Sequence, residues 1–472
     1  MNEPFLNTGF KKKLHTLNPH KKELQIEIQK TKRRTINIKI NPDSCQNLVR
    51  EQLACKVSGT MMGLWLLIPE HLKLGTWDML KHYSNTQCDN DLEPRFAMQM
   101  VHEAALCVQG IRAQRNIAHQ GFDILNGLPE IISDNQSHYY LNDKTIHDSQ
   151  QLQIMLGQLR AASDHFPSKI ISIDPHRILT ATQRIMPKKK KRPNQPSEKM
   201  LQTYFALDPI SGQPIASTIG STGKKTSHAT IELLQLIQQI QNDDKLILAD
   251  AEHFTINIVD YIKNQTTYDF LSPTPVTAKI TKLMSGLDYT PQWAGFATAI
   301  TEYQFKQSKE KYHLLVQRTG EANYQYKPFI TSNPDHVLQK LSEYYPLRWS
   351  IEEFFNFEGS MGWKRASTLN LNIRYGKQSL ALIAQALVSQ FREKLPKAYI
   401  NWTAQSIADK VFSRFDADIK VKKNTIFVTY YGIPEEYGFK NHYSNMPQKL
   451  ENENIDPRIP WLYDFKVDYI FK

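Results

Sequence analysis

Apolar residues recur at helical spacing through the first third of the chain. Between Leu48 and Leu80 the pattern is helical. From Glu93 to Arg115, Phe96, Met100, Ala104, Cys107 and Ile111 fall three and four residues apart, the period of one helix face. Pro94 suits the first turn of that helix. A further helix is predicted over Asp148–Ala161, with Leu152, Met155, Leu156 and Leu159 on one side. Residues 1–165 are therefore expected to be a mostly helical region.

The texture then changes. Lys169–Ile173 predicts a buried strand that stops at Asp174-Pro175. A solvated loop follows, with five consecutive cations: Lys188, Lys189, Lys190, Lys191 and Arg192. Thr203–Leu207 and Pro214–Ile219, with Gly212 between them, predict a hairpin. Thr230–Ile240 reads as a helix, Lys245–Ala249 as a strand ending at Asp250, and His253–Lys263 as a helix. Strand, hairpin, helix, strand, helix is an α/β unit with carboxylates at the C-terminal ends of two strands. Residues 268–335 are rich in Thr, Tyr, Phe and Val, with alternating runs clearest at Phe296–Tyr303 and Lys311–Arg318, and predict a β-rich insertion. The helical pattern returns at Asp335–Phe355 and Gly376–Leu395. A helix near Ala404–Phe415 and a strand pair near Ile419–Tyr431 follow. The expected divisions are thus 1–165, 166–267, 268–335, 336–395 and an α+β region over 396–472.

Composition narrows the class. The 472 residues hold 58 Lys and Arg against 47 Asp and Glu, a net charge of +11. Hydrophobic residues make up 40%, enough for a packed core. Much of the positive excess lies in residues 1–40, at Lys11–Lys13, Lys21–Lys22, Lys30, Lys32, Arg33 and Arg34, an arm suited to neutralising phosphates. The longest apolar run, Met61–Pro69, is too short to span a bilayer. The N-terminal residues lack the charged and apolar regions of a secretory signal. Cys45, Cys55, Cys88 and Cys107 lack metal-site spacing and read as free, buried thiols of a reducing cytosol. A basic soluble protein with an anionic partner, nucleic acid above all, is the class that remains.

Three acids carry the candidate chemistry. Asp174 and Asp250 end strands that, if neighbouring and parallel, share one sheet edge. Glu352 lies in Tyr345-Pro-Leu-Arg348-Trp-Ser-Ile-Glu352. At about 100° per residue, Tyr345, Arg348 and Glu352 share an arc of roughly 60°. Leu347, Ile351, Phe354 and Phe355 take the adjoining arc, and Glu353 points away. Converging carboxylates repel unless a cation lies among them. Oxygen ligands of this kind suit Mg²⁺, with Mn²⁺ as a substitute. A pair of such ions supports phosphodiester cleavage.

These residues resemble the DDE transposases of bacterial insertion sequences. The likeness rests on Ile-Ser-Ile-Asp174-Pro-His-Arg, Leu-Ile-Leu-Ala-Asp250-Ala-Glu-His-Phe and Tyr-x-x-Arg-x-x-x-Glu352, over about residues 165–395. It is narrower for the branch with a β-rich insertion before the glutamate. The resemblance implies an RNase H-like catalytic core interrupted by that insertion and preceded by the basic helical region. It also implies Mg²⁺, cleavage and strand transfer at terminal inverted repeats, and catalytic, metal-holding roles for Asp174, Asp250 and Glu352. Partners implied are double-stranded DNA, at transposon ends and target, and a second copy of the chain in a synaptic dimer, with residues 396–472 as the dimerising part. The expected location is the bacterial cytoplasm, at the nucleoid. Tyr345 and Arg348 would contact DNA, as would the cations of Lys188–Arg192. The family's lysine, seven residues beyond the glutamate, falls on Gly359 here. Lys364 or Arg365 would supply its charge if the helix ended at Gly359. That departure motivates an alternative, a domesticated or decayed transposase that binds DNA without cutting.

Other signals carry less. Gly223-Lys224-Lys225 fails the phosphate-loop pattern at Thr218 and Lys225. His102-Glu103 lacks a metalloprotease's second histidine. Glu252 is expected to cap the helix after Asp250, and Trp349 to lie in the core. A glycosidase would explain two acids but neither the third nor the positive charge.

Overall fold

The computed structural model describes residues 42–89, 91–108, 120–190, 194–363 and 368–472. The cationic arm, Ile111, Lys191, Arg192, Lys364 and Arg365 lie outside the described residues, and the helix expected over Glu93–Arg115 already ends at Ala105.

The centre is a sheet of strands β1 (Ile170–Leu179), β2 (Met200–Asp208), β3 (Gln213–Ser221), β4 (Leu246–Leu248), β5 (Asp269–Pro273), β6 (Thr290–Trp293), β7 (Phe296–Tyr303), β8 (Tyr312–Thr319) and β9 (Gln325–Thr331). Their spatial order is β3-β2-β1-β4-β5-β9-β8-β7-β6. The hairpin β2–β3 pairs antiparallel onto β1, whereas β4 and β5 run parallel to it. A meander on one side of a central strand, two parallel strands on the other and helices on both faces make an RNase H-like α/β sheet. The β-rich insertion does not stand apart from it. Its last strand, β9, pairs antiparallel with β5, so β6–β9 prolong the same sheet.

The two faces are read off by alternation. Along β2, Tyr204 and Ala206 join one buried cluster while Phe205 and Leu207 join another. The first face is covered by helix α1 (Thr226–Ile240), whose Leu233, Leu234, Leu236 and Ile237 are buried. The opposite face carries helix α2 (Ser350–Glu358), with Ile351 and Phe354 buried. Beyond it lies α3 (Leu371–Glu393), buried along most of its length. Helices of the first third and the C-terminal region share one hydrophobic cluster with α2 and α3. Arg392 on α3 pairs with the buried Glu358 at 2.7 Å, and Lys394 pairs with the buried Glu70.

Several sequence expectations change here. The Leu48–Leu80 stretch is not one helix. Helix Pro42–Ala54 gives way to strand Val57–Gly59, which pairs with Ala417–Ile419. Helices Ile68–Leu74 and Thr76–Tyr83 then meet at Gly75, whose φ of 63° is left-handed and open to glycine at little cost. Strand β1 does not stop at Asp174-Pro175 but runs on to Leu179. Its pairing with β4 ends at Ser172, while β2 continues alongside to Leu179. Pro175 therefore sits where one edge of β1 is open, and its missing N–H breaks no ladder. Cys45 and Cys107 are buried, but Cys55 and Cys88 are exposed, because each lies where its helix has ended or in a loop. Among the described residues, no helix is long and apolar enough to cross a membrane.

Two stability predictions follow from this packing. A Cβ at Gly63 would lie 2.2 Å from the Val411 carbonyl oxygen, a backbone atom that cannot rotate away. Gly63→Ala should lower unfolding free energy by about 2 kcal/mol or more, measured by urea titration. Burial, with the charge of Glu130 adding to it, pushes the Asp123 carboxyl up to about 7. The unfolded carboxyl titrates near ~3.9, so this group's contribution is full below about pH 4 and lost as pH rises through about 7. Asp123→Asn should narrow the gap between urea midpoints measured at about pH 5 and about pH 8.

Candidate active site

The parallel pairing of β1 with β4 sets the geometry. Its register matches Ile170 with Leu246, Ile171 with Ile247 and Ser172 with Leu248. Asp174 and Asp250 each lie two residues beyond the last matched pair, so they leave the ladder at the same level. By alternation Asp174 shares the face of Ile170, and Leu246 and Leu248 lie in the same small cluster as Ile170. That cluster also holds Leu271, Phe329, Leu341 and Tyr345, so the segment leading into α2 lies over both strand ends.

Asp250 is fixed by its neighbours. Its carboxylate accepts from the Glu252 N–H at 3.0 Å, capping the tight turn Ala251–His253. Its backbone carbonyl accepts from Ser272 Oγ on β5 at 2.8 Å. The buried His253 places Nε2 3.8 Å from Asp250 Oδ1, and its Nδ1 bonds Thr230 Oγ1 on α1 at 3.0 Å. Burial lowers the pKa of His253, against the pull of Asp250 and Glu252. Glu252 does not cap the following helix, as expected from sequence. Its carboxylate pairs with Arg177 on β1 and accepts from Thr226 Oγ1 at 2.7 Å. The Asp250 side chain takes the capping role because it reaches the turn's N–H first.

Asp174 lies opposite Phe205 in the sheet and is largely buried. Burial first, and the charge of Asp250 second, push its carboxyl up to about 7, while Arg348 and Arg177 pull it down. Arg348 stands between two of the acids. One guanidinium nitrogen is 3.6 Å from Asp174 Oδ2 and the other is 3.7 Å from Glu352 Oε1. Both separations exceed a hydrogen bond, and Arg348 Nε has no partner among the described residues. Tyr345 packs edge-on against Phe329, with ring centroids 4.7 Å apart. Burial raises its hydroxyl pKa.

The arc computed for Tyr345, Arg348 and Glu352 presumed a continuous α-helix. Residues Tyr345–Trp349 instead form a 3₁₀ turn, with α2 starting at Ser350, because Pro346 donates no N–H to a regular ladder. Arg348 and Glu352 still meet, while Glu353 is exposed and turned away. Phe354 and Ile351 are buried as expected. Trp349 is not in the core: it is 57% exposed, with the Arg348 guanidinium 5.3 Å from its ring. The tighter turn carries it off the packed face. α2 ends at Glu358, with Gly359 at its C-cap. Lys188 is exposed, and Lys189–Lys190 pair with Ser197–Glu198 as a short ribbon rather than a plain loop.

Arg177, Thr226, His253 and Ser272 escaped the sequence reading as supports of this site. Each acts through a partner distant in sequence or through a turn, and no spacing rule exposes that. The donor chemistry suits a hard divalent cation: Asp174, Asp250 and Glu352 offer only carboxylate oxygens, and the Asp174 carboxyl, raised first by its burial, is raised further by the charge of Asp250. Among the described residues, however, no group of three or more His, Cys, Asp or Glu side chains already converges closely enough to hold a metal ion. The Arg348 guanidinium lies within ion-pair distance of both Asp174 and Glu352.

Residues 165–387 match the family model described as "Transposase DDE domain". Domains of that family generally use divalent metal ions. No curated protein matches the chain. Among solved structures, a cryo-electron microscopy structure of a piggyBac transposase synaptic complex with hairpin DNA is similar, at 10% identity and a TM-score of 0.40, over 76% of this chain and 82% of that one. A superposition that loose adds no weight, and the assignment rests on the matched domain and the sheet that carries it. Residues 165–387, just under half of the chain, are thus similar to a transposase DDE domain.

Proposed function

We propose that Asp174, Asp250 and Glu352 are the catalytic acids and that the chain cleaves and rejoins phosphodiesters at the terminal inverted repeats of a bacterial insertion sequence. The observation that carries this reading is the β1–β4 register, which levels Asp174 with Asp250 beneath the segment bearing Arg348 and Glu352. All three acids fall within the matched residues. Mg²⁺, with Mn²⁺ as a substitute, is the ion we assign to them. When bound, such an ion activates a water or a 3′-hydroxyl and stabilises the leaving oxygen.

The chain's own groups do the positioning. Ser272 and the Glu252 N–H hold Asp250 in place. Arg177 neutralises Glu252 and so keeps a fourth carboxylate from competing at the site. Arg348 lies within ion-pair distance of Asp174 and Glu352 without hydrogen bonding to either and bonds the Tyr345 side chain, and a DNA phosphate would compete for its donors. Tyr345, Lys188, Lys189 and Lys190 are proposed as further DNA contacts, together with Lys191, Arg192, Lys364 and Arg365. Residues 1–165 are assigned to end recognition, 166–267 and 336–395 to the catalytic core around the 268–335 insertion, and 396–472 to dimerisation in the synaptic complex. The proposed setting is the bacterial nucleoid. The non-cleaving alternative is not favoured by the family match.

Purified protein with Mg²⁺ and linear DNA bearing the inverted repeats that flank its reading frame should be nicked at the repeat ends. Asp174→Asn and Glu352→Gln should each reduce nicking on the order of 10²–10³-fold without unfolding the chain. Nicking by Asp174→Asn at the parent rate would remove Asp174 from the site. Arg348→Met should tighten Mn²⁺ binding to the DNA-free protein roughly tenfold, measured by calorimetry, because it removes a competing cation from between two carboxylates. The same variant should bind repeat DNA more weakly.

A further inference from the structure

A cleft of about 470 Å³ opens between helices Ile68–Leu74 and Thr76–Tyr83 and the C-terminal segment Ile455–Asp464. None of the residues placed at the acids above lines it. Its walls are aromatic: His71, Trp77 and Trp461. Trp77 and Trp461 have ring centroids 6.3 Å apart, and His71 meets Trp461 edge-on at 5.5 Å. Four aspartates line it, Asp78, Asp89, Asp456 and Asp464, against two cations, Lys81 and Arg458. The lining is thus net negative in a chain whose net charge is +11.

A chain of buried hydrogen bonds fixes the protonation of His71, which lines this cleft. Asn126 Nδ2 donates to the Phe122 carbonyl at 2.7 Å, which orients Asn126 Oδ1 as the acceptor for His102 Nδ1, 2.6 Å away. His102 Nδ1 therefore carries the proton, and its Nε2 is a lone pair. That lone pair lies 3.0 Å from His71 Nε2, which must be the donor. His71 Nδ1 is consequently an acceptor. It is buried and has no partner among the described residues. Burial also keeps both rings neutral: desolvation lowers His71 well below its ordinary value and His102 to about 4.

The other polar groups are mostly engaged. Lys81 holds Asp78 and Asp89, Trp77 Nε1 donates to Asp89 at 3.0 Å, and Arg458 holds Asp456. Asp464 has no ion pair among the described residues, though its charge acts on the nearby Arg458. An unsatisfied acceptor, a spare carboxylate and indole faces together call for a donor that carries positive charge. Trp77 already meets one such group, since the Arg95 guanidinium lies 5.2 Å from its ring.

We propose that this cleft binds an organic cation, an alkylguanidinium or alkylammonium group, whose N–H donors are taken by His71 Nδ1 and the Asp464 carboxylate. Such a group comes either from a free amine or from a Lys or Arg side chain of a peptide. The assignment is independent of the transposase reading and predicts no change in cleavage when the cleft is altered.

Agmatine, a peptide of the sequence Ile28–Ile36 of this chain, and inorganic phosphate are titrated into the full chain, followed by calorimetry and tryptophan fluorescence. Agmatine binding with a change in tryptophan emission supports a free amine as occupant. Saturable binding of the peptide alone supports a side-chain source. Asp464→Asn should weaken either by about tenfold through loss of one charge-assisted hydrogen bond. Asp464 sits at φ 65°, a conformation asparagine also tolerates, so the variant keeps the fold. Phosphate binding in preference to both cations, silence of both at millimolar concentration, or an Asp464→Asn affinity equal to the parent's would each overturn the proposal.

Discussion

Two carboxylates are held together by a strand register, and the rest of the site answers to that constraint. Asp174 and Asp250 cannot separate without breaking the β1–β4 ladder, whose residues are mostly buried. Like charges at the rim of a buried sheet are unfavourable in the absence of a cation. The Asp174 carboxyl is raised first by its burial and second by the charge of Asp250. Arg348 offsets part of it by sitting between Asp174 and Glu352, yet at separations too long to satisfy its own donors. The arrangement is compact enough to be electrostatically coupled and loose enough to be rearranged by a stronger cation or by phosphate.

The support beneath the acids is rigid for ordinary packing reasons. β2 and β3 are buried on both faces, and the insertion strands β6–β9 lengthen the same sheet, so the segment carrying Tyr345 and Arg348 rests on strands from core and insertion alike. α2 and α3 lock onto helices of the first third, and the C-terminal region closes the same hydrophobic cluster. Ion pairs such as Arg392–Glu358 are buried within this body and bind its elements in one arrangement. Removing one partner of such a pair costs more than the pair contributes.

Charge is distributed unevenly. A basic chain suits a polyanionic partner through counterion release. The aspartate-lined cleft beside Trp461 runs against that trend, and its buried histidine relay presents an acceptor rather than a donor. Two sites of opposite demand thus sit on one body, one drawing phosphate and the other a cationic group.

Local pattern sufficed for much of this. The apolar runs at Lys169–Ile173 and Lys245–Ala249 marked β1 and β4, the hairpin followed from Gly212, and the insertion strands followed from alternation at Phe296–Tyr303. The three acids proposed for the site stand out in the sequence as carboxylates at strand ends and on an amphipathic segment. Pairing partners were not legible. That β1 continues through Pro175, that Glu252 turns to Arg177, and that Trp349 faces solvent all depend on which edge is open and which neighbour is near. A one-dimensional pattern encodes the period of an element and the chemistry of its side chains. Which distant residue fills the space beside each of them is decided only when the sheet closes its register and the helices settle on its faces.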